Sequence, residues 1–226
     1  MSANHYRFGY MRLDDPPLDL ADDGVMYLDP LTSLAAYPSF ERCIVEMIPM
    51  LAGEGLHIAI GDVDGLREYV SERRSADPAH FGHLAGNACM QTIGRVTAQW
   101  AAEELSNCTF HVCGTFGGDE VIIAVSGISH GLFASKIHTL CRTIRGTAPR
   151  PCSFALGTLE DRSVTPDSAA EAYRRFVSMV DARLFQEKED ARREGGHLDG
   201  SVTDLGRVSL LDRDGAGHPA RIGGAL

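Results

Sequence analysis

The sequence has no C-x-x-C pair, no apolar run approaching ~18 residues and no block of basic residues. Each absence removes a class of protein. Without a long apolar run there is no candidate spanning helix, and the start MSANHYRFGYMRLDD lacks the charged-then-apolar pattern of a secretory signal. No association with a membrane is therefore expected. Without paired or metal-spaced cysteines, Cys43, Cys89, Cys108, Cys113, Cys141 and Cys152 read as free thiols of a reducing cytoplasm. Without a basic block, a formal charge of −10 argues against a nucleic-acid binder, because little is available to neutralise a phosphate backbone. The same acidity is compatible with a nucleotide substrate, since a metal ion can mediate between carboxylates and phosphates.

What is present is a globular composition. The chain has 226 residues, 44% of them hydrophobic and 23% charged, with a mean hydropathy of −0.10. That suffices for one domain with tails. Residues 1–28 are polar, contain Pro16-Pro17 and read as an N-terminal arm; 29–196 read as the domain. Residues 197–226 are rich in glycine and read as an extension with at most one short strand. Apolar spacing predicts helices over Leu34–Leu51, Leu84–Leu105, about 130–145 and about 167–193, the last ended by Gly195-Gly196. Short β-forming runs predict strands at Leu56–Val63, Cys108–Phe116, Val121–Val125 and about 152–159. Residues 71–80, SERRSADPAH, read as a polar loop. Strands interleaved with helices, one pair of them a hairpin, predict an α/β fold with a central mixed sheet.

The hairpin carries the chemistry. Gly117-Gly118 fits a two-residue turn, because both residues tolerate positive φ. The tip supplies Asp119 and Glu120, and the strand LHIAIGDV brings Asp62, with Asp64 just beyond it. If these strands are neighbours, three or four carboxylates crowd one edge, which is costly unless they are protonated or joined by a cation. Oxygen donors with room for phosphates suit Mg²⁺ or Mn²⁺, and two such ions can activate a ribose hydroxyl and stabilise a leaving pyrophosphate. Gly117 and Gly118 leave their N–H groups open to a phosphate. Lys188 and Arg192, four residues apart on a helix, can converge on one phosphate group. His80 and His83 read as loop or packing residues rather than a metal pair.

Five segments, in order, carry a resemblance to a known family. They are Asp29-Pro30-Leu31-Thr32-Ser33-Leu34, Asp62-Val63-Asp64, Gly82-His83-Leu84-Ala85-Gly86-Asn87, Gly117-Gly118-Asp119-Glu120-Val121, and the stretch from Val180 to Arg192 that keeps Asp181, Lys188 and Arg192. From about Asp29 to Arg192 the chain resembles the GGDEF family of nucleotidyl cyclases, typically diguanylate cyclases. The resemblance implies a palm-like domain with a signature β-hairpin. It implies that Asp62, Asp119 and the Val63 carbonyl bind Mg²⁺ or Mn²⁺, and that Glu120 assists at the reacting hydroxyl. Lys188 and Arg192 would hold the triphosphate. It further implies a homodimer that condenses two nucleoside triphosphates into a cyclic dinucleotide second messenger.

The chain departs from the pattern at defined positions. Ser33 replaces a glycine, and Val121 a phenylalanine. Asn87 stands where the family has a guanine-reading Asp, and Val70 aligns with a second polar reader. An ionised Asp only accepts hydrogen bonds, whereas Asn also donates and can pair with adenine. The base preference is thus open between GTP, the family default, and ATP. The product-inhibition motif R-x-x-D aligns with Cys108 and His111, and the arginine before the hairpin with Thr115, so that feedback site is expected to be missing. With no room for an N-terminal sensor domain, control is expected from a separate regulatory protein, self-association or expression level. The alternative function is a degenerate GGDEF domain that binds a nucleotide or a protein without turnover.

Overall fold

A computed structural model describes residues 10–11, 26–76 and 82–210. Two short strands, β1 (Tyr10–Met11) and β2 (Met26–Tyr27), pair with each other in parallel. The rest of the arm predicted over 1–28 lies almost wholly outside the described residues, as do His80 and residues 211–226 of the extension. After α1 (Tyr37–Leu51) come β3 (Leu56–Val63), α2 (Leu66–Ala76), α3 (Gly82–Glu104), β4 (Phe110–Thr115) and β5 (Glu120–Ser126). Then follow α4 (His130–Thr147), β6 (Cys152–Leu159), α5 (Ala169–Arg193) and β7 (Val202–Val208).

Five strands form one sheet in the order β4-β5-β3-β6-β7, antiparallel except for the β6–β7 pair. The apolar alternation decides which helices cover which face. Ile58 and Ile60 of β3, with Ile122 of β5 and Ala155 of β6, join Phe40 and Ile44 of α1 and Tyr173 and Phe176 of α5 in one buried cluster. Ala59, Val121, Ile123 and Phe154 point the other way and pack with Ile93 of α3 and Phe133 and Ile137 of α4. Burying each such side chain contributes ~1.5–3 kcal/mol. The two layers hold the sheet edges, and therefore the ends of β3 and β5, in fixed register. Among the described residues, no helix is long and apolar enough to cross a membrane.

The structure corrects several expectations. The first helix begins at Tyr37, not Leu34, because residues 29–34 form a tight turn instead. The Asp29 carboxylate accepts hydrogen bonds from the Thr32 N–H and hydroxyl, and the Ser33 N–H donates to the Asp29 carbonyl. Ser33 takes φ 61°, the left-handed region where glycine is at ease, which explains the glycine of the family pattern. That turn lies against α3 so closely that a Cβ on Gly94 would come 2.3 Å from the Thr32 carbonyl oxygen.

The loop predicted over 71–80 is helical as far as Ala76, since α2 continues through the polar SERRSA segment. There Arg73 stacks over the Tyr69 ring on an exposed face. Residues 77–81 lie outside the described residues. The extension predicted beyond 196 supplies its one strand as β7, a seven-residue edge strand of the central sheet.

Gly117-Gly118 is not a two-residue turn. The ladder continues to Thr115–Val121, the Phe116 N–H donates to the Glu120 carbonyl, and Gly117–Asp119 span the tip. Neither glycine has a positive φ.

Candidate active site

The register of β3 against β5 brings the acidic residues together. Asp62 lies directly opposite Glu120, and the next backbone pair is closed by the Val63 N–H donating to the Asp119 carbonyl. Asp62 and Glu120 share the sheet face of Ile60 and Ile122, the face that α5 covers. From α5, the Lys188 ammonium reaches Asp62 Oδ1 at 2.7 Å, the Val63 carbonyl at 3.4 Å and Asp64 Oδ1 at 3.4 Å. Gly117 lies beside the movable end of the Glu120 side chain. A Cβ there would lie 2.6 Å from Glu120 Oε2, in the space that the carboxylate uses. Around Gly118 the corresponding space is open.

This corner leaves its carboxylates short of partners. Burial pushes the Asp62 carboxyl up, with Asp119 and Asp64 adding to the rise and Lys188 opposing it. Burial also pushes Glu120 up to about 7, reinforced by Asp62, Asp119 and Asp181 and again opposed by Lys188. Asp181, noted in the sequence only as part of a matching segment, thus belongs to the electrostatic surroundings of Glu120. One ammonium serves an edge that carries several carboxylates.

Beside this corner opens a cavity of about 460 Å³. Asp62, Val63, Asp119, Lys188 and Arg192 line it, so five of the candidate residues meet there. Arg192 also pairs with Glu189, one turn away on α5. Arg67 and Glu68 of α2 and His197 also line it, with His197 Nε2 4.0 Å from Glu68 Oε1. These three carried no signal in the sequence. His197 in particular sits in the segment read as a glycine-rich extension.

Asn87 and Val70 do not line this cavity. Asn87 is exposed on α3, and Val70 packs α2 against α3, its Cγ2 3.3 Å from the position of a Cβ on Gly86. Gly117, Gly118 and Glu120, at the hairpin tip, are not part of its lining either.

The donor set suits a hard divalent cation bound together with phosphate. Among the described residues, no three His, Cys, Asp or Glu side chains form a ready-made metal cage. Mg²⁺ does not require one, since it is commonly held by one or two carboxylates, with phosphate and water completing its shell. Asp62, Asp119 and the Val63 carbonyl match that pattern, and a cation bound there would lower the Asp62 and Glu120 carboxyls that burial raises.

A five-stranded mixed sheet with an acidic hairpin tip beside Asp62, covered by a lysine-bearing helix, characterises the fold. The chain has the GGDEF-domain fold of diguanylate cyclases, as comparison with solved structures shows. It is similar to the diguanylate cyclase SiaD of Pseudomonas aeruginosa, solved with its activator SiaC, at 19% identity and a TM-score of 0.57. That alignment covers 79% of this chain and 61% of SiaD, so the chain spans about three-fifths of that relative. It is also similar to the GGDEF domain of DgcB from Caulobacter crescentus, solved with c-di-GMP, at 15% identity and a TM-score of 0.57, covering 78% of this chain and 92% of that domain. A microbial GGDEF domain studied with cyclic di-GMP matches at 22% identity and a TM-score of 0.54, over 78% of this chain and 95% of that one. By sequence, no family model and no curated protein matches.

Proposed function

We propose that the chain is a metal-dependent nucleotidyl cyclase, which joins two nucleoside triphosphates into a cyclic dinucleotide with release of two pyrophosphates. The observation that carries this reading is the meeting of Asp62, Asp119, Lys188 and Arg192 around one cavity, with Glu120 directly opposite Asp62. Mg²⁺ or Mn²⁺, when bound by Asp62, Asp119 and the Val63 carbonyl, supplies charge neutralisation for the triphosphate and the attacking oxygen. Lys188 and Arg192 hold the phosphate chain from α5. Glu120, raised to about 7, is suited to accept the proton of the ribose 3′-hydroxyl near neutral pH. That hydroxyl oxygen attacks the α-phosphate of the nucleotide on the facing chain. A phosphodiester bond forms, the α–β phosphoanhydride bond breaks, and pyrophosphate leaves. One site presents one nucleotide, so two chains must meet as a homodimer for each turnover.

The base is the open term of this proposal. GTP is the default of the fold's cyclases, and Asn87 with Val70 admits ATP or an adenine-containing product. Asn87→Asp should move preference toward GTP. The SiaD structure includes an activator protein, and regulation by a separate partner is proposed here on that model.

A second reading, a nucleotide- or protein-binding module without turnover, is favoured by the placing of Asn87 and Val70 away from the cavity wall. Pyrophosphate release with each of the four nucleoside triphosphates and Mg²⁺ or Mn²⁺ separates the two. The proposal expects release whose rate per chain rises with protein concentration in a dilute range. No release with any nucleotide, from a chain that still binds one, supports the module instead.

A further inference from the structure

The Lys188 ammonium touches the very atoms assigned above to a metal, Asp62 Oδ1 and the Val63 carbonyl. Its third contact is the informative one. Asp64 is buried, and every polar atom it has except one is saturated. Its N–H donates to the Pro151 carbonyl, and its own carbonyl accepts from Arg150 Nε. Its Oδ2 accepts from the Ser153 hydroxyl at 2.6 Å and from the Gly200 N–H at 3.0 Å. Only Oδ1 lacks a hydrogen bond, and it faces Lys188 at 3.4 Å. A buried carboxylate oxygen left in this state is expensive unless a cation attends it.

We propose that Asp64 is a positioning residue that gives Lys188 a second seat. Without metal, Lys188 is shared between Asp62 and Asp64 and acts as the counterion of the site. When a divalent cation takes Asp62 and the Val63 carbonyl, the ammonium shifts to Asp64 Oδ1 and stays in the cavity, facing the phosphates. Asp64 thus makes the metal and the lysine compatible instead of mutually exclusive. Asp64 is fixed by β6 and the 200 turn, so it cannot follow Lys188, and this lets it serve as the stationary seat. The inference rests on the metal reading made above.

Mn²⁺ binding, followed through the electron paramagnetic signal of the free ion, tests it without recourse to turnover. Lys188→Gln should bind Mn²⁺ about tenfold more tightly than wild type, and Asp64→Asn about tenfold more weakly. The weakening should shrink when Asp64→Asn is combined with Lys188→Gln, because the competitor is then gone. Arg192→Gln removes a charge from the same cavity but from none of these donor atoms, and should stay within about threefold of wild type. Lys188→Gln binding no tighter than wild type, or Arg192→Gln tightening as much, overturns the proposal and leaves the metal reading standing. No Mn²⁺ bound by any of the chains overturns both.

The unaltered protein offers a test that does not depend on variants folding. The chain contains two lysines, Lys136 and Lys188, and Lys136 is paired with Glu104 far along α3. Carbon-labelled lysine therefore gives two ε-methylene resonances. Saturating Mg²⁺ should move that of Lys188 and leave that of Lys136. Bound Mg²⁺ with both resonances unmoved contradicts the proposal.

Discussion

The two ends of the central strand β3 bury ionisable groups in opposite ways. At its start, His57 is buried and fully partnered: Nε2 meets the Ile128 carbonyl at 2.8 Å and Nδ1 meets the Thr158 hydroxyl at 2.6 Å. The ring stacks on Phe133, and the chain continues from Thr158 to His130 Nδ1 and from His130 Nε2 to Asp204 of β7. A carbonyl and a carboxylate only accept, and the Thr158 hydroxyl has one proton to give. At the other end, Asp62, Asp64, Asp119 and Glu120 have one ammonium among them, and Asp64 Oδ1 has no hydrogen bond. A closed network stabilises a fold, whereas an open one marks where a ligand completes the chemistry.

That contrast is broken most directly by Asp119→Asn. Turnover should fall by at least ~10²-fold, read as pyrophosphate release, while the circular dichroism spectrum stays that of wild type. At the opposite end, His57→Ala should cost about 2–4 kcal/mol in urea unfolding, because it leaves a cavity beside Phe133 and an unpaired Ile128 carbonyl. Nucleotide affinity should not change, since His57 lies at the far end of the strand. Loss of nucleotide binding in a folded His57→Ala chain would erase the distinction between the ends.

The pH dependence sharpens it further. Burial lowers His57 from 6.5, aided by His130 and Arg207 and resisted by the Ile128 hydrogen bond and Glu160. Between that depressed value and 6.5 the unfolded chain binds more protons than the folded one, so this contribution is complete above 6.5 and is lost as pH falls below it. His57→Gln, which cannot take up that proton, should show a shallower loss of stability between about pH 7 and pH 5. The smallest expected effect lies outside both ends. Ser33→Gly should raise stability by about 1 kcal/mol, because it relieves the left-handed backbone in the turn after Asp29.

Much of the fold was legible in the sequence, and for physical reasons. Leu56–Val63 and Cys152–Leu159 are apolar runs buried on both faces, and both strands occur with the predicted bounds. The closeness of Asp62 to Asp119 and Glu120 was expected only on condition that their strands are neighbours; the hairpin joins β4 to β5, and it is the non-local pairing of β3 with β5 that meets the condition. Local propensity misled where tertiary structure decides. SERRSADPAH is polar, yet its first six residues extend α2, which gains its hold by packing on α3. The double glycine suggested a two-residue positive-φ turn, but the Phe116–Glu120 hydrogen bond closes a three-residue tip in which neither glycine has a positive φ. The part of the cavity wall made by Arg67, Glu68 and His197 had no motif, since it arises only when residues distant in sequence are brought together.

The measurement that bears most directly on the open-network account is the melting temperature of Asp119→Asn, with and without Mg²⁺ plus a nucleoside triphosphate. Without ligands the variant should melt at or above wild type, because one of the like charges raising Asp62 and Glu120 is gone. With ligands, wild type should rise by several degrees and the variant should not. A variant that melts well below wild type on its own, or that rises as much with ligand, would contradict the account.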